Sequence, residues 1–370
     1  MIVVYGATGT TGSLVARQLV EGGHEVVLSG RDPYRLGRLG EELRGPATRP
    51  ARIHVARELD DAVRGARAVI SCAGPFLVLG EPVLRAAIEA GAHYMDVSGE
   101  QAFVRDVHER HDSRARRAGV TAVPGFAWEV AVGDWAASRA AAHARELAGA
   151  GDDEPVDEIA VGYALSRVRT TPGTRQSLLG ALSRPASVWR DDRWDTVAPL
   201  SRTRSITFPP PFGPREALLW PSGEVITLPR HTAARRIDTY LAVAEDLPGV
   251  AVAARLAGLL GPLVALAAAS PLGAFARAQA GAAPPPDEEE RHRIEFAVVA
   301  EASLRFHRAR VSLTGRDPYA VSARIAALGA HHLLAPDPPP AGVLAPSELA
   351  DPEASLATLV AEGWLTAAEN

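Results

Sequence analysis

The sequence predicts an α/β protein: an N-terminal Rossmann doubly wound parallel sheet, followed by a second α+β domain with a mostly antiparallel sheet. Three observations carry this. Short apolar runs alternate with helical patterns over the first 125 residues, as expected for parallel strands joined by right-handed crossovers. A glycine-rich turn follows the first of those runs. Beyond about Gly125, strand-like segments succeed one another with few helices between them, several in period-2 alternation; this suits antiparallel pairing.

Taken in order, Ile2–Tyr5 is the first strand and Ser13–Glu21 the first helix. Glu25–Ser29, Arg52–Ala56, Ala68–Cys72, Tyr94–Val97 and Val120–Val123 read as the next strands, with helices over Glu81–Ala90 and Gln101–Ala118. Farther on, Glu158–Leu165, Arg204–Phe208, Glu224–Leu228, Thr239–Ala244, Ile294–Ala302 and Arg308–Leu313 are strand-like. Tyr319–His332 and Ser355–Glu362 read as helices, and Ala283–Glu290 as a solvated loop.

Composition narrows the chemistry. All 39 basic residues are arginine, so Schiff-base and pyridoxal-phosphate chemistry, a Walker-A lysine and a Tyr-x-x-x-Lys dyad are excluded. A net charge of −5 leaves no basic footprint for nucleic acid. The lone cysteine, Cys72, fits a reducing compartment, and with a strand opening at Ile2 the expected location is cytoplasmic. Residues 256–276 carry no charge. Alanine, glycine, Pro262 and Pro271 make this run a buried or dimer-interface hairpin first, a peripheral membrane or lipid contact second, and a span last. A homodimer is expected. His108 and His111 lie one helical turn apart without a further ligand set, so no metal is expected.

The turn Gly6-Ala7-Thr8-Gly9-Thr10-Thr11-Gly12 stands between a strand and a helix. Its glycines permit a tight turn, a close backbone approach to a pyrophosphate and close helix packing, and the helix N-terminus adds N–H donors. The second strand ends Ser29-Gly30-Arg31-Asp32. A site preferring NAD places a carboxylate at this tip; Arg31 instead suits a 2′-phosphate, and Asp32 suits a helix cap, so NADP(H) is the expected cofactor. Cys72-Ala73-Gly74-Pro75-Phe76 closes the fourth strand, and Ser98-Gly99 follows the fifth, both on the carboxyl edge where open sheets bind ligands. Cys72 reads as a small buried residue rather than a nucleophile.

These segments, with Gly80-Glu81-Pro82-Val83, Tyr94-Met95-Asp96-Val97-Ser98-Gly99-Glu100, Val123-Pro124-Gly125-Phe126, Gly315-Arg316-Asp317-Pro318-Tyr319 and Gly342-Val343-Leu344-Ala345-Pro346, resemble the saccharopine dehydrogenase-like oxidoreductases, and among them the bacterial branch with trans-acting enoyl reductases. The resemblance is dense over 1–135 and sparse over 180–290. It implies an NADP-binding Rossmann domain (1–127), an inserted substrate and dimerisation domain (128–315) and a C-terminal segment returning to the first (316–370). It also implies hydride transfer to a C=N or activated C=C bond. After the sixth strand the branch often has Gly-Phe-Asp-Ser-x-Pro-x-Asp, whereas this chain reads Gly125-Phe126-Ala127-Trp128-Glu129-Val130-Ala131-Val132-Gly133-Asp134; only Asp134 matches clearly beyond Gly-Phe.

A reduction also needs a proton, or donors for a developing negative charge. Without lysine, the candidates are Tyr94, Asp96 and Glu129 at strand ends, and Arg169, Thr171, Arg175 and His231 farther on. The turn Arg169-Thr-Thr-Pro-Gly-Thr-Arg175 opens a helix and suits a carboxylate or phosphate. The leading expectation is an NADPH-dependent reductase of an apolar or carrier-linked metabolite. An imine reductase of an amino-acid-derived substrate and a non-catalytic NADP-sensing regulator are the alternatives.

Overall fold

The computed structural model describes residues 1–43, 47–50, 56–167, 170–242, 266–280 and 284–369. In chain order it begins β1 (Ile2–Tyr5), α1 (Thr10–Glu21), β2 (Val26–Gly30), α2 (Pro33–Glu42), β3 (Ala47–Pro50), α3 (Ala56–Val63), β4 (Ala68–Ser71), α4 (Phe76–Glu89), β5 (His93–Asp96), α5 (Gln101–Ala118) and β6 (Thr121–Val123). There follow α6 (Val130–Ala148), β7 (Glu158–Leu165), α7 (Pro172–Ala181), β8 (Ala186–Arg190), β9 (Arg193–Val197), β10 (Thr203–Phe208), β11 (Gly213–Leu219), α8 (Glu224–Thr227) and β12 (Arg236–Ala242). The chain continues through α9 (Pro271–Ala280), α10 (Glu288–His292), β13 (Glu295–Leu304), β14 (His307–Arg316), α11 (Pro318–Leu333), β15 (Gly342–Val343), α12 (Pro346–Leu349), α13 (Pro352–Ala361) and β16 (Leu365–Glu369).

Two compact units result: Met1–Gly99 with Phe103–Trp128 and Tyr319–Ala350, and Glu100–Ala102 with Glu129–Pro318 and Asp351–Asn370. The first holds a seven-stranded sheet in the order β15-β6-β5-β4-β1-β2-β3, with every pairing parallel. From β6 to β3 this is the doubly wound order, reversing direction beside β1. Val3, Val27, Val69, Tyr94 and Ala122 form one buried row under α3, α4 and α5. Strands covered on both faces read as unbroken apolar runs, which is why this half was legible in the sequence.

The second unit holds a nine-stranded sheet, β10-β11-β12-β7-β13-β14-β16, with the β8–β9 hairpin attached to β12. Only β12 and β7 run parallel; the other pairings are antiparallel. The β13–β14 hairpin turns at Arg305, which takes a left-handed φ of 58°, and leaves the Phe306 ring fully exposed. The boundary drawn at 316 divides differently. Tyr319–Ala350 lies in the first unit, but Asp351–Asn370 lies in the second, because β16 pairs along β14 from Val311↔Glu369 to Gly315↔Leu365.

Several expectations are corrected. Glu224–Leu228 is not a strand but helix α8 running into a 3-10 turn over Leu228–Arg230. Its β-branched residues suggested a strand, yet Glu224, Val225, Ile226 and Thr227 are all buried, so no alternating face exists and packing overrides propensity. Residues 52–55 of the third expected strand lie outside the described residues; Ala56 opens α3, and the strand beside β2 is Ala47–Pro50. The loop to Glu290 ends earlier, at Asp287, which caps α10 with a capping box. Of the uncharged run, residues 256–265 lie outside the described residues. Among the described residues no helix is long and apolar enough to cross a membrane.

Candidate functional site

At the carboxyl end of β1 the chain turns sharply. Gly6 adopts φ 79°, and a Cβ there would press on Ala73 and the Cys72 backbone at 3.0–3.1 Å. The N–H groups of Gly6 and Ala7 both donate to the Ser29 carbonyl, at 2.8 and 3.0 Å, pinning the turn to the end of β2. At Gly12 a Cβ would strike the Gly6 carbonyl oxygen, so only glycine lets α1 come this close to the sheet. Helix α1 begins after Gly9 with no side-chain cap, and Gly9 is exposed. Its first-turn N–H groups and the positive end of the helix dipole therefore suit an anion.

At the tip of β2, Asp32 accepts from the N–H groups of Tyr34 and Arg35 at 3.0 and 3.1 Å. It is the cap of α2, as expected, which commits its carboxylate locally. Arg31 is exposed beside it. Burial pushes the Tyr5 hydroxyl up to about 12, with the Arg31 charge opposing. Sequence reasoning missed Arg35, whose Nη2 donates to the Thr8 carbonyl at 2.9 Å. Its place one helical turn past Arg31, inside the helix that Asp32 caps, was the available signal.

Farther along the same edge, Ser71 and Asp96 pair across β4 and β5. Oδ1 of Asp96 accepts from the backbone N–H of Ser98 and of Gly125, each at 2.9 Å. Tyr94 is fully enclosed, and burial, with the Asp96 charge next, holds its hydroxyl well above the usual range. Both were candidate acids. Asp96 instead ties the loops after β5 and β6 together, and Tyr94 is sealed in the core. Burial, then Asp96, also pushes up the Cys72 thiol, which keeps it protonated and unreactive. Cys72–Phe76 thus line the edge through their backbone, against which Gly6 packs.

In the second unit a polar cluster forms around the start of α6. Glu129, half-buried, has its carboxyl raised to about 7 by burial, with hydrogen bonds from Trp220 and Ser222 pulling down and Glu100 pushing up. Tyr163, from β7, hydrogen bonds to the main-chain carbonyl of Glu129 and to Oε1 of Glu224. Ser222 donates to Oε2 of Glu224. Gln101 fixes this segment, donating to the carbonyls of Ser187 and Ser222 at 3.1 and 3.0 Å. Asp134, wholly buried, accepts from Thr227 at 2.6 Å and meets Nε2 of His231 at 3.1 Å.

The other candidates go elsewhere. Arg169 lies outside the described residues. Arg175 donates to the carbonyls of Thr170 and Pro284 at 2.5 and 3.3 Å, and Thr171 caps α7 by accepting from the Thr174 N–H; the described part of the turn is a helix start with Arg175 directed to backbone carbonyls. His231 is engaged by Asp134 and by Thr232 Oγ1 at 3.0 Å. On the face of β7 opposite Tyr163, Glu158 lines a cavity of about 270 Å³ with Arg204, Glu301, Arg308 and Arg310. Arg204 bridges the two glutamates there at 2.9 and 3.0 Å.

The family described as Saccharopine dehydrogenase NADP binding domain matches residues 2–123. Over residues 2–123, about a third of the chain, the sequence is similar to that NADP-binding domain. The glycine cradle at Gly6 and Gly12 and the exposed Arg31 fit that cofactor on this chain's own geometry. A lipid droplet localized protein of Caenorhabditis elegans is 31% identical over 140 residues, 35% of this chain and 33% of that protein. The trans-acting enoyl reductase of Mycobacterium ulcerans is 30% identical over 129 residues, 33% of this chain and 31% of that protein. The matches thus span about a third of those relatives' length. The likeness in fold extends over both units: saccharopine dehydrogenase (L-Glu forming) of Saccharomyces cerevisiae superposes with a TM-score of 0.66 at 12% identity, covering 100% of this chain and 99% of that one.

Within the NADP-binding domain, Arg31→Ala is expected to weaken NADPH binding about 10–100-fold, the loss of one or two charge-assisted hydrogen bonds, and to leave NADH affinity nearly unchanged. Parallel fluorescence titrations with the two nucleotides check this. An equal loss for both would assign Arg31 a merely structural role.

Proposed function

We propose that the chain is an NADPH-dependent reductase that acts on an activated C=C or C=N bond of an apolar or carrier-linked metabolite, with Glu129 as the proton donor. The observation that carries this reading is the Glu129 carboxyl. It is half-buried and raised to about 7. A carboxylic acid near neutrality is protonated often enough to give its proton, and its conjugate base is stable enough to form.

Bound NADPH supplies the hydride. The chain's own residues do the rest. The α1 N-terminus and the Gly6–Gly12 turn hold the pyrophosphate, and Arg31 takes the 2′-phosphate. The proton of Glu129 goes to the carbon or nitrogen left electron-rich, so that one hydride and one proton saturate the bond and Glu129 ends as a carboxylate. The enoyl reductase named among the relatives supports C=C chemistry. The uncharged 256–276 run and the lipid-droplet relative support an apolar substrate. On the same reading the chain works in the cytoplasm as a homodimer, with 256–276 meeting lipid or membrane surfaces.

The test is NADPH oxidation against a panel of enoyl thioesters, carrier-linked enoyl groups and cyclic imines. Turnover with an enoyl compound supports the proposal, and turnover confined to amino-acid-derived imines moves the substrate class. Tight NADPH binding without turnover on any compound would make the chain a cofactor sensor instead.

A further inference from the structure

The Tyr163 hydroxyl faces two acceptors at once, the Glu129 main-chain carbonyl and Oε1 of Glu224. A phenol has one hydrogen to give. Donated to the Glu129 carbonyl, it leaves the phenol oxygen facing Oε1, a contact that is attractive only if Oε1 itself carries a hydrogen. Oε2 of Glu224 is already served, since the Ser222 hydroxyl donates to it. With the phenol hydrogen on the Glu129 carbonyl and the Ser222 hydrogen on Oε2, Glu224 is a neutral acid that donates through one oxygen and accepts through the other.

Its surroundings agree. Glu224 is wholly buried. Burial raises its carboxyl well above the usual range, and the neighbouring Glu129 and Asp134 charges add to that. The charges of Glu129, just before α6, and of Asp134, within it, act on Glu224, which meets Tyr163 from β7 and Ser222 from its own segment; His231 is turned to Asp134, and Glu100 acts on Glu129. Among the described residues no cation forms an ion pair with Glu224. Space for this arrangement is made by Gly133, where a Cβ would strike both Tyr163 Oη and Glu224 Oε1.

We propose that Glu224, held neutral, is a positioning residue that anchors Tyr163 and Ser222 and through them holds Glu129 where it can give its proton. This rests on Glu129 being the donor. Glutamine is the near-isostere of a neutral glutamic acid: its amide N–H can donate to Tyr163 and its carbonyl can accept from Ser222. An ionised Glu224 would have no such mimic, and its replacement would remove a charge beside Glu129.

Infrared spectroscopy of the full chain, without cofactor or substrate, reads the state of Glu224 directly. At a pH well above 7 the protonated-carboxyl C=O band is expected to persist in the wild type and in Glu129→Gln, and to vanish in Glu224→Gln. In turnover, Glu224→Gln should keep the Glu129 midpoint, while Glu224→Ala and Tyr163→Phe each lower kcat by about tenfold or more with NADPH KM unchanged. Loss of the band in the wild type above pH 7, or a midpoint shift of about one unit in Glu224→Gln, overturns the inference. A persistent band together with an undiminished Glu129→Gln overturns the donor reading instead, and leaves Glu224 a structural acid.

Discussion

Glu129→Gln is expected to lower NADPH oxidation by about 10²–10⁴-fold, the usual worth of a positioned acid, with NADPH affinity unchanged. The amide keeps the size and the contacts to Trp220 and Ser222 but has no proton to release. In the wild type the acid form predominates below about 7, so the rate should fall as pH rises through that value, and the variant should lose this limb. Stability gives an independent reading. A carboxyl raised in the folded state contributes stability that is fully present below its ordinary value and lost as pH rises through about 7. Melting curves should therefore show the wild type losing ground to Glu129→Gln across that window. Identical pH profiles of rate and of melting in the two proteins would remove Glu129 from the chemistry.

The second large effect is on the fold. Gly133→Ala is expected to destabilise the protein by about 1–3 kcal/mol or more, the cost of overpacking a filled core, although alanine is the better helix former by about 1 kcal/mol. The new Cβ would land on Tyr163 Oη and Glu224 Oε1, with Glu224 Cδ at 3.1 Å, so the hydrogen-bonded hydroxyl and carboxyl must shift to admit it. Gly37, in α2, is the control: nothing lies within 4 Å of a Cβ there, so Gly37→Ala should raise the melting temperature. Thermal unfolding of the two variants checks both signs, and a Gly133→Ala protein as stable as wild type would mean that the cluster is looser than its contacts indicate.

The first unit was legible because its chemistry is local. Gly6, Gly12, Arg31 and Asp32 each act within a turn or a helix start, and sequence spacing displays that. The second unit was less so. Helix α6 left no trace because it is buried along most of its length, including Val130–Ala137, Ala140, Ala141 and Ala144; without a polar face there is no period to read. The β8–β9 hairpin had a signal that passed unread. Asp191 and Asp192 take left-handed φ values of 44° and 63°, as a tight hairpin turn requires, and bring Trp189 and Trp194 to 5.3 Å. Glu129 could be named from its place after β6, but its partners could not. Tyr163, Ser222 and Glu224 come from β7 and from the segment entering α8, and only packing of the second unit gathers them. Arg175 was misjudged for the opposite reason, since a cation beside a Gly/Thr turn looks the same whether it greets an anion or closes on nearby carbonyls.

The exposed tip of the β13–β14 hairpin has a practical use. Cys72 is the chain's one thiol, and its burial keeps it protonated and slow toward alkylating reagents. A cysteine in place of Phe306, whose side chain touches solvent on all sides, would react with a maleimide dye far ahead of it, with the native thiol left in place. Single-site fluorescence on the second unit then becomes available in an otherwise unaltered molecule.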